Sequence, residues 1–551
     1  MFMKKNWPVL LVCTCLMAVI CVICSCSQWI NPGKQPDDNV YTPAPPTMPP
    51  EYVTGAVPDT EPVTSEFDTI IEYKTDDNGE EYTEIVTVEP ETNVGYEYIA
   101  VMQHIDHLEH GVQYDYIPEA EARAMTKLAM NFANTPLPVG GWVTPAPSLR
   151  DERNDTSGVL DAAYKKLARI GLTFVITQDE WSSPAWTLEA LSSARRAGLK
   201  LWYTCGNEID ALTSVERVQA MLSSPDAEAL AGVIVQVSPT ESSLPDLAEK
   251  SKVIRRELGT ANGLKIQSIL PPPYATNIGY TGGYRSYLKS YASTCNPYIV
   301  AADYAPYQGK SGNTIPEMVA SLLSLRSEAA ATKFQTASGT SVTPPMYGVV
   351  QCSGSGTLRE PTLYELRLNA HLALACGAKG IIYNSVCEQE FGNTTGVLDN
   401  KGETNEMYKM VSAVNAELEE MRGRCLTLTF KAMLVFNADD ISKALTKMNL
   451  NENRTSWSML SSVTVENNKP LLVSCFDSAA GSSGEGYYLV NPDVTESTTV
   501  TLSYKDPQAL LVWSGKGLEL VNWMKTLTVT LDPGEGLFIE NTGLVYNDST
   551  P

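Results

Sequence analysis

Between Val139 and Met421 the chain repeats one unit eight times: a short apolar run that reads as a strand, then an amphipathic stretch that reads as a helix. The runs fall at 139–143, 173–177, 200–204, 231–237, 265–270, 299–302, 346–351 and 380–383. The helical stretches fall at 159–169, 184–197, 214–222, 244–258, 284–291, 316–331, 360–376 and 403–421. Strands separated by helices lie parallel, because the helix must carry the chain back across the sheet, and the helices cover its faces. Eight such units in about 280 residues have the size and count of a closed (β/α)8 barrel. An open doubly wound sheet shares the rhythm, since periodicity does not report closure; the count of eight favours the barrel. In a barrel the loops after the strands form one rim, and ligands bind there.

After Arg422 the rhythm changes to short alternating runs, such as 426–430, 471–476, 487–490, 498–503, 527–530 and 536–539. Gly481 to Gly484 and Asp532-Pro533-Gly534 punctuate them, as turns do. This part reads as a small all-β sandwich. The expected fold class is therefore α/β: a (β/α)8 TIM barrel over 96–424, followed by a sandwich over 425–545. With 551 residues in the chain, two domains are needed to bury the apolar surface.

The stretch ahead of the barrel is of another kind. Lys4 and Lys5 precede an apolar run from Trp7 to Ile23, the order of a signal peptide's charged and apolar regions. The run ends Ile23-Cys24-Ser25-Cys26, which resembles a bacterial lipobox. The resemblance implies cleavage before Cys26, lipid on its thiol, and 1–26 as leader; an uncleaved membrane anchor is the alternative. Either places the rest outside the cytoplasm, tied to a bacterial cell membrane. Residues 27–95 read as an acidic tether, rich in Pro and Thr over 34–62 and too poor in large apolar residues there to fold. Within it, Asn78-Gly79 between alternating β-branched runs predicts a hairpin over 68–88.

The formal charge is −24, and residues 31–95 hold thirteen of those charges. The remainder is acidic too, which argues against nucleic acid and anionic lipid surfaces as partners. Seven cysteines follow the leader, with no Cys-x-x-Cys pair; they read as buried thiols, although a disulfide stays open outside the cytoplasm. His104, His107 and His110 recur every third residue and on a helix two could share a metal, but Asp106 and Glu109 beside them suit a solvated face. His371, on an apolar helix, reads as core. No metal or cofactor is expected.

Three segments carry a resemblance to a family. They are Leu230-Ala231-Gly232-Val233 with Ser238-Pro239 and Leu244-Pro245-Asp246-Leu247; Glu360-Pro361-Thr362 with the run from Arg367 to Tyr383; and Tyr488 to Asp493. They resemble the glycoside-hydrolase barrels of the large retaining clan, similar to β-galactosidases and cellulases, with a terminal β domain. The resemblance implies one carboxylate after the fourth strand, as acid and base, and one after the seventh, as nucleophile. This chain departs at both places. Matching on Pro239 sets Ser238 at the acid/base position, and the seventh strand offers Gln351 at the nucleophile position. Neither can do the work of a carboxyl: a Ser is no acid of matched pKa, and an amide does not ionise.

Other carboxylates of the rim are candidates: Glu208 after the third strand, Glu241 after the fourth, Asp303 after the sixth and Glu388 after the eighth. Glu241 either folds back towards the lost acid or caps the following helix. Asp303 ends a strand just before Tyr304 and Tyr307, and is the strongest single candidate; bonding to a neighbouring strand is its bland reading. Aromatic residues cluster at strand ends: Trp142, Trp181, Trp186, Trp202, Tyr274, Tyr304, Tyr307 and Tyr383. Rings beside hydrogen-bonding groups suit the faces of sugars, and equally suit packing under the rim. Three functions follow. The first is a surface-anchored, carbohydrate-binding barrel impaired in hydrolysis, its site lined by Trp142, Trp202, Ser238, Tyr274, Tyr304, Gln351 and Tyr383. The second is an active glycoside hydrolase with an unusual carboxylate pair. The third is a transporter's solute-binding lipoprotein.

Overall fold

The structure is a computed structural model and describes residues 68–75, 81–88, 108–125, 136–145, 157–178, 184–206, 210–258, 264–273, 279–308, 312–313, 315–331, 333–335, 341–356, 358–388, 394–448, 450, 459–478 and 485–546. Cys26 and the expected leader lie outside the described residues. The chain divides into two units, one over Lys34–Gln103 and one holding His104–Pro551. In the first, Asp68–Thr75 pairs antiparallel with Glu81–Val88 as a hairpin.

In the second, eight parallel strands close into a barrel: Val139–Trp142, Phe174–Ile176, Lys200–Thr204, Leu230–Val237, Lys265–Leu270, Val300–Ala302, Met346–Gln351 and Ile381–Asn384. They neighbour one another in chain order, and the eighth pairs with the first, which decides against the open sheet. Side chains at alternate positions point into the barrel, and there Trp142, Phe174, Trp202, Ile234, Tyr347 and Ile382 form one core. Two glycines make room for its rings. A Cβ on Gly140 would sit 2.2 Å from the Phe174 ring, and one on Gly232 would sit 2.6 Å from the Trp202 ring.

The antiparallel part follows the eighth helix, Glu406–Thr427. Its hydrogen-bonded path runs Leu428–Phe436, Leu471–Ser478, Glu485–Val490, Gly536–Asn541, Thr498–Ser514, Gly517–Leu531. Leu460–Val465 joins it along Thr498–Ser514. The two longest strands lose register between Ser503 and Gln508, where the sheet folds over its own core as a sandwich does. Two strands of this sheet come from ahead of the barrel. Leu108–His110 pairs with Val529 to Leu527, and Gln113–Asp115 pairs with Trp523 and Met524. Of residues 96–136, expected in the barrel, Leu108 has its side chain in the core of the terminal sheet. His110 lies on that edge strand and not on a helix, 2.7 Å from Glu519. The Glu519 hydrogen bond raises the imidazole pKa against the opposing effect of burial.

The seventh helix, Leu363–Ala375, joins the two parts. Thr362 and Glu365 close a reciprocal capping box at its start. From Glu365 onward every residue is buried, since barrel strands lie on one side and the sheet on the other. Arg367 donates to Glu417 of the eighth helix at 2.7 Å and reaches Glu535 of the sheet at 3.5 Å. His371 is core, as its helix suggests, with Nδ1 2.8 Å from the Tyr488 hydroxyl. Burial pushes the Glu417 carboxyl up, but His371 and Arg367 outweigh it and hold it below its ordinary value. Six cysteines are free and buried, and the side chain of Cys425 is outside the described residues.

Candidate active site at the barrel mouth

Strand register sets the site. Gln351, Asn384 and Trp142 are cross-strand neighbours on the seventh, eighth and first strands. Alternation turns them to the same side as Val349 and Ile382, into the barrel. Asp303 stands one residue beyond the sixth strand, in step with Ala301, and so faces inward as well. Its backbone N–H donates to the Leu270 carbonyl at 2.8 Å, which anchors the turn. Its carboxylate accepts a hydrogen bond from the Asn384 side chain at 3.1 Å. The pair bridges the sixth and eighth strands across the end of the seventh. Burial raises the Asp303 carboxyl to about 6, against the lowering effect of Asn384. A group so placed can hold or release a proton near neutral pH, which suits acid–base chemistry and hydrogen bonding to a polar ligand alike.

Gln351 has a different task. Its Oε1 accepts from the Tyr307 N–H at 2.9 Å, and its Nε2 donates to the carbonyls of Arg359 at 2.8 Å and Ser353 at 3.1 Å. Its Nε2 also reaches the Tyr307 carbonyl at 3.5 Å, so loop backbone meets both ends of the amide, and the side chain is buried. It is a bracket between the loops after the sixth and seventh strands. Ser238 ends the fourth strand with φ of 48°, a left-handed conformation that few residues other than glycine adopt. Its N–H donates to the Ile269 carbonyl at 2.8 Å, and the Pro239 carbonyl accepts from the Tyr287 hydroxyl at 2.8 Å. The tight turn carries no acid at the position where the family resemblance asks for one.

The other rim acids hold loops. Glu241 accepts from the Thr281 N–H at 2.7 Å, so it ties the loop after the fourth strand to the loop after the fifth. It does not cap the helix; the Thr240 hydroxyl caps that turn. Glu388 accepts from the Asn400 N–H at 3.1 Å. Asp210 caps the third helix through Leu212 and Thr213. Glu208 and Tyr274 lie outside the described residues, as do Asp179, Glu180, Trp181 and Glu390. Among the described residues, no three His, Cys, Asp or Glu side chains could hold a metal ion.

The aromatic expectation needs correcting. Trp142 and Trp202 are 8% and 3% exposed and pack inside the barrel, Trp202 beside the Phe174 ring. Tyr304 is buried and donates to Glu317 at 3.3 Å. Tyr307 is buried and donates to the Glu365 carbonyl at 2.6 Å. Tyr383 points outward, between strand and helix, where its hydroxyl donates to Asn415 Oδ1 at 2.8 Å. Trp186 is exposed but rides on the second helix. One functional residue escaped the sequence reading, namely Asn384. The signal for it was present, since Ile382 inward implies Asn384 inward and Tyr383 outward.

No family model and no curated protein matches the chain. Solved structures match at low identity. A catalytic mutant of a GH42 β-galactosidase from G. stearothermophilus is 8% identical, covers 73% of this chain and 98% of its own, and has a TM-score of 0.49. A putative alpha-L-fucosidase from Bacteroides thetaiotaomicron is 11% identical over 51% of this chain and 96% of its own, with a TM-score of 0.36. The HMG-CoA lyase from Brucella melitensis is 16% identical over 46% of this chain and 81% of its own, with a TM-score of 0.28. The strand order itself shows a closed (β/α)8 barrel followed by an antiparallel β domain; these likenesses assign the chain neither a family nor a reaction.

Proposed function

We propose that this protein is a surface-anchored, carbohydrate-binding barrel that does not hydrolyse glycosides by the two-carboxylate route. One observation carries the reading: Gln351, at the place of the nucleophile, spends its whole amide on loop backbone. Hydrolysis of that kind needs two carboxyls facing each other across about 5 to 10 Å. Asp303 is a deep acid of the described mouth, whereas Glu241 and Glu388 bond to loop N–H groups. Asp303 and Asn384 together offer an acceptor and an amide to sugar hydroxyls. Anchoring rests on the leader sequence alone; among the described residues no helix is long and apolar enough to cross a membrane.

A glycoside hydrolase with an unusual pair keeps one observation on its side, the Asp303 carboxyl raised to about 6, near the range of a general acid. It requires a second acid, of which Glu208 is a candidate. A two-lobed solute-binding protein is set aside, because the sheet closes into one barrel and leaves no hinge between lobes. The test is a glycan array run beside hydrolysis of activated aryl glycosides. Retention of glycans without turnover is expected. Turnover abolished by Asp303→Asn overturns the binding-only reading, and no retention of any glycan overturns carbohydrate binding itself.

A further inference from the structure

Leu108–His110 is only three residues long, yet it ends the hydrogen-bonded path of the terminal sheet. Its backbone is held by the ladder to Leu527, Thr528 and Val529, and the Gly111 N–H after it donates to the Thr526 carbonyl at 3.0 Å. So short an edge makes few bonds of its own, and side chains decide how firmly it stays docked. Residues two apart on a strand share a side, so His110 follows Leu108 towards the core between the folded-over layers. Glu519 meets it from the other layer. It stands opposite Val512, a member of that core, and is 7% exposed. The imidazole Nε2 lies 2.7 Å from its carboxylate, so the pair ties the edge strand across the layers.

Other titratable groups of this region are turned elsewhere or do not change charge near neutral pH. Glu109 alternates to the opposite side of the strand and is exposed, and Lys505 and Asp506 are exposed at the bend of Thr498–Ser514. Lys525 holds its ammonium 5.5 Å from the Tyr114 ring. Tyr504 lies in the shared core, where burial pushes its hydroxyl far up and keeps it neutral. Histidine is the side chain that changes charge between about pH 5 and 8. Its imidazolium gives Glu519 a charge-assisted hydrogen bond; a neutral ring leaves a buried carboxylate without that charge beside it. The Glu519 hydrogen bond, against burial, holds the imidazole above its ordinary value. The tie is therefore complete below about pH 6.5 and is lost as pH rises through the higher folded-state value. We propose that His110 is a pH-dependent clasp, which fastens the edge strand to the terminal sheet in mildly acidic surroundings and loosens it in alkaline ones while barrel and sheet stay folded. The clasp works whatever the barrel mouth binds.

Amide hydrogen exchange of the full chain, read by mass spectrometry at about pH 5.5 and about pH 8.5, tests it. Exchange times are scaled so that the intrinsic chemistry is equal at both. Protection of the stretch Leu108–Asp115 should fall on the order of tenfold from the lower pH to the higher, the worth of one charge-assisted hydrogen bond. Protection of the barrel strand Leu230–Val237 should stay within about twofold. His110→Gln, which never carries the charge, should show the lower protection at both values. Should that variant fail to fold, the imidazole of His110 in the unaltered protein is titrated by NMR. A midpoint above that of an unfolded-chain histidine supports the clasp, and one at or below it overturns it. Protection of Leu108–Asp115 that is indifferent to pH in the unaltered protein also overturns it, as does a pH dependence that survives in His110→Gln or that the barrel strand shares.

Discussion

Restoring the missing nucleophile should fail, and the reason is measurable. Gln351→Glu exchanges an NH2 that donates at 2.8 Å and 3.1 Å for an oxygen that faces the same two carbonyls. Two hydrogen bonds go, each worth about 1 kcal/mol, and two buried carbonyls are left wanting donors at about 1 kcal/mol or more each. The Tyr307 N–H keeps its acceptor. The sum is about 3–5 kcal/mol at pH 7, with the charge set among oxygens adding to the upper end. Urea midpoints followed by tryptophan fluorescence give the value. The deficit should shrink on acidification, because a neutral glutamic acid can still donate one bond. The sign follows from linkage: the folded-state pKa of the new group lies above its unfolded value of about 4.3, so the folded state binds the proton more tightly and stability falls as pH rises through that window. Gln351→Met loses those two bonds and the acceptor of the Tyr307 N–H as well, without the pH dependence. A Gln351→Glu protein within about 1 kcal/mol of the parent at pH 7, or one that gains turnover of aryl glycosides, would refute the bracket.

Further outcomes follow from single contacts. Asp303 is raised from 3.8 to about 6, so its ionised form opposes folding above that pH. Asp303→Asn should therefore stabilise the protein at pH 7 by about 1–3 kcal/mol, an advantage that fades as pH falls to about 4; thermal unfolding at both values checks it, and a less stable variant at pH 7 contradicts it. Tyr383→Phe should lower stability by about 1 kcal/mol through its lost bond to Asn415 while glycan retention holds; altered retention would return Tyr383 to the site. Gly534→Ala should lower the melting temperature by an amount equivalent to about 2–4 kcal/mol in calorimetry, since φ is +69° and the new Cβ would lie 2.3 Å from the Tyr364 carbonyl. A smaller loss would show that the joint between barrel and sheet yields.

Barrel strands were legible because they are buried on both faces and so read as unbroken apolar runs. Leu230–Val237, Lys265–Leu270 and Met346–Gln351 match their expected bounds within a residue. The same property hid the direction of individual side chains. In Ile381-Ile382-Tyr383-Asn384 nothing in hydrophobicity separates inward from outward, so the sequence does not mark Asn384 over the tyrosine beside it. Trp142 and Trp202 were misread for a related reason: a ring near a strand end fills the barrel when a glycine on the adjoining strand leaves space, as Gly232 does for Trp202. The role of Gln351 was illegible, because backbone carbonyls carry no signal in sequence. Leu108–His110 was too short to register as a strand, and its partners lie more than four hundred residues away.

That clasp between the first and last parts of the folded unit has a mechanical meaning. A pull on the chain from the side of Leu108 is met first by the ladder that joins Leu108, Glu109 and His110 to Val529, Thr528 and Leu527. Tension arriving along the stretch ahead of it is borne there, in shear, before it reaches the first barrel strand at Val139. The barrel end that holds Asp303 is thereby insulated from strain on the chain ahead of Leu108, as a lamp hung from its bracket is spared the sway of the cord.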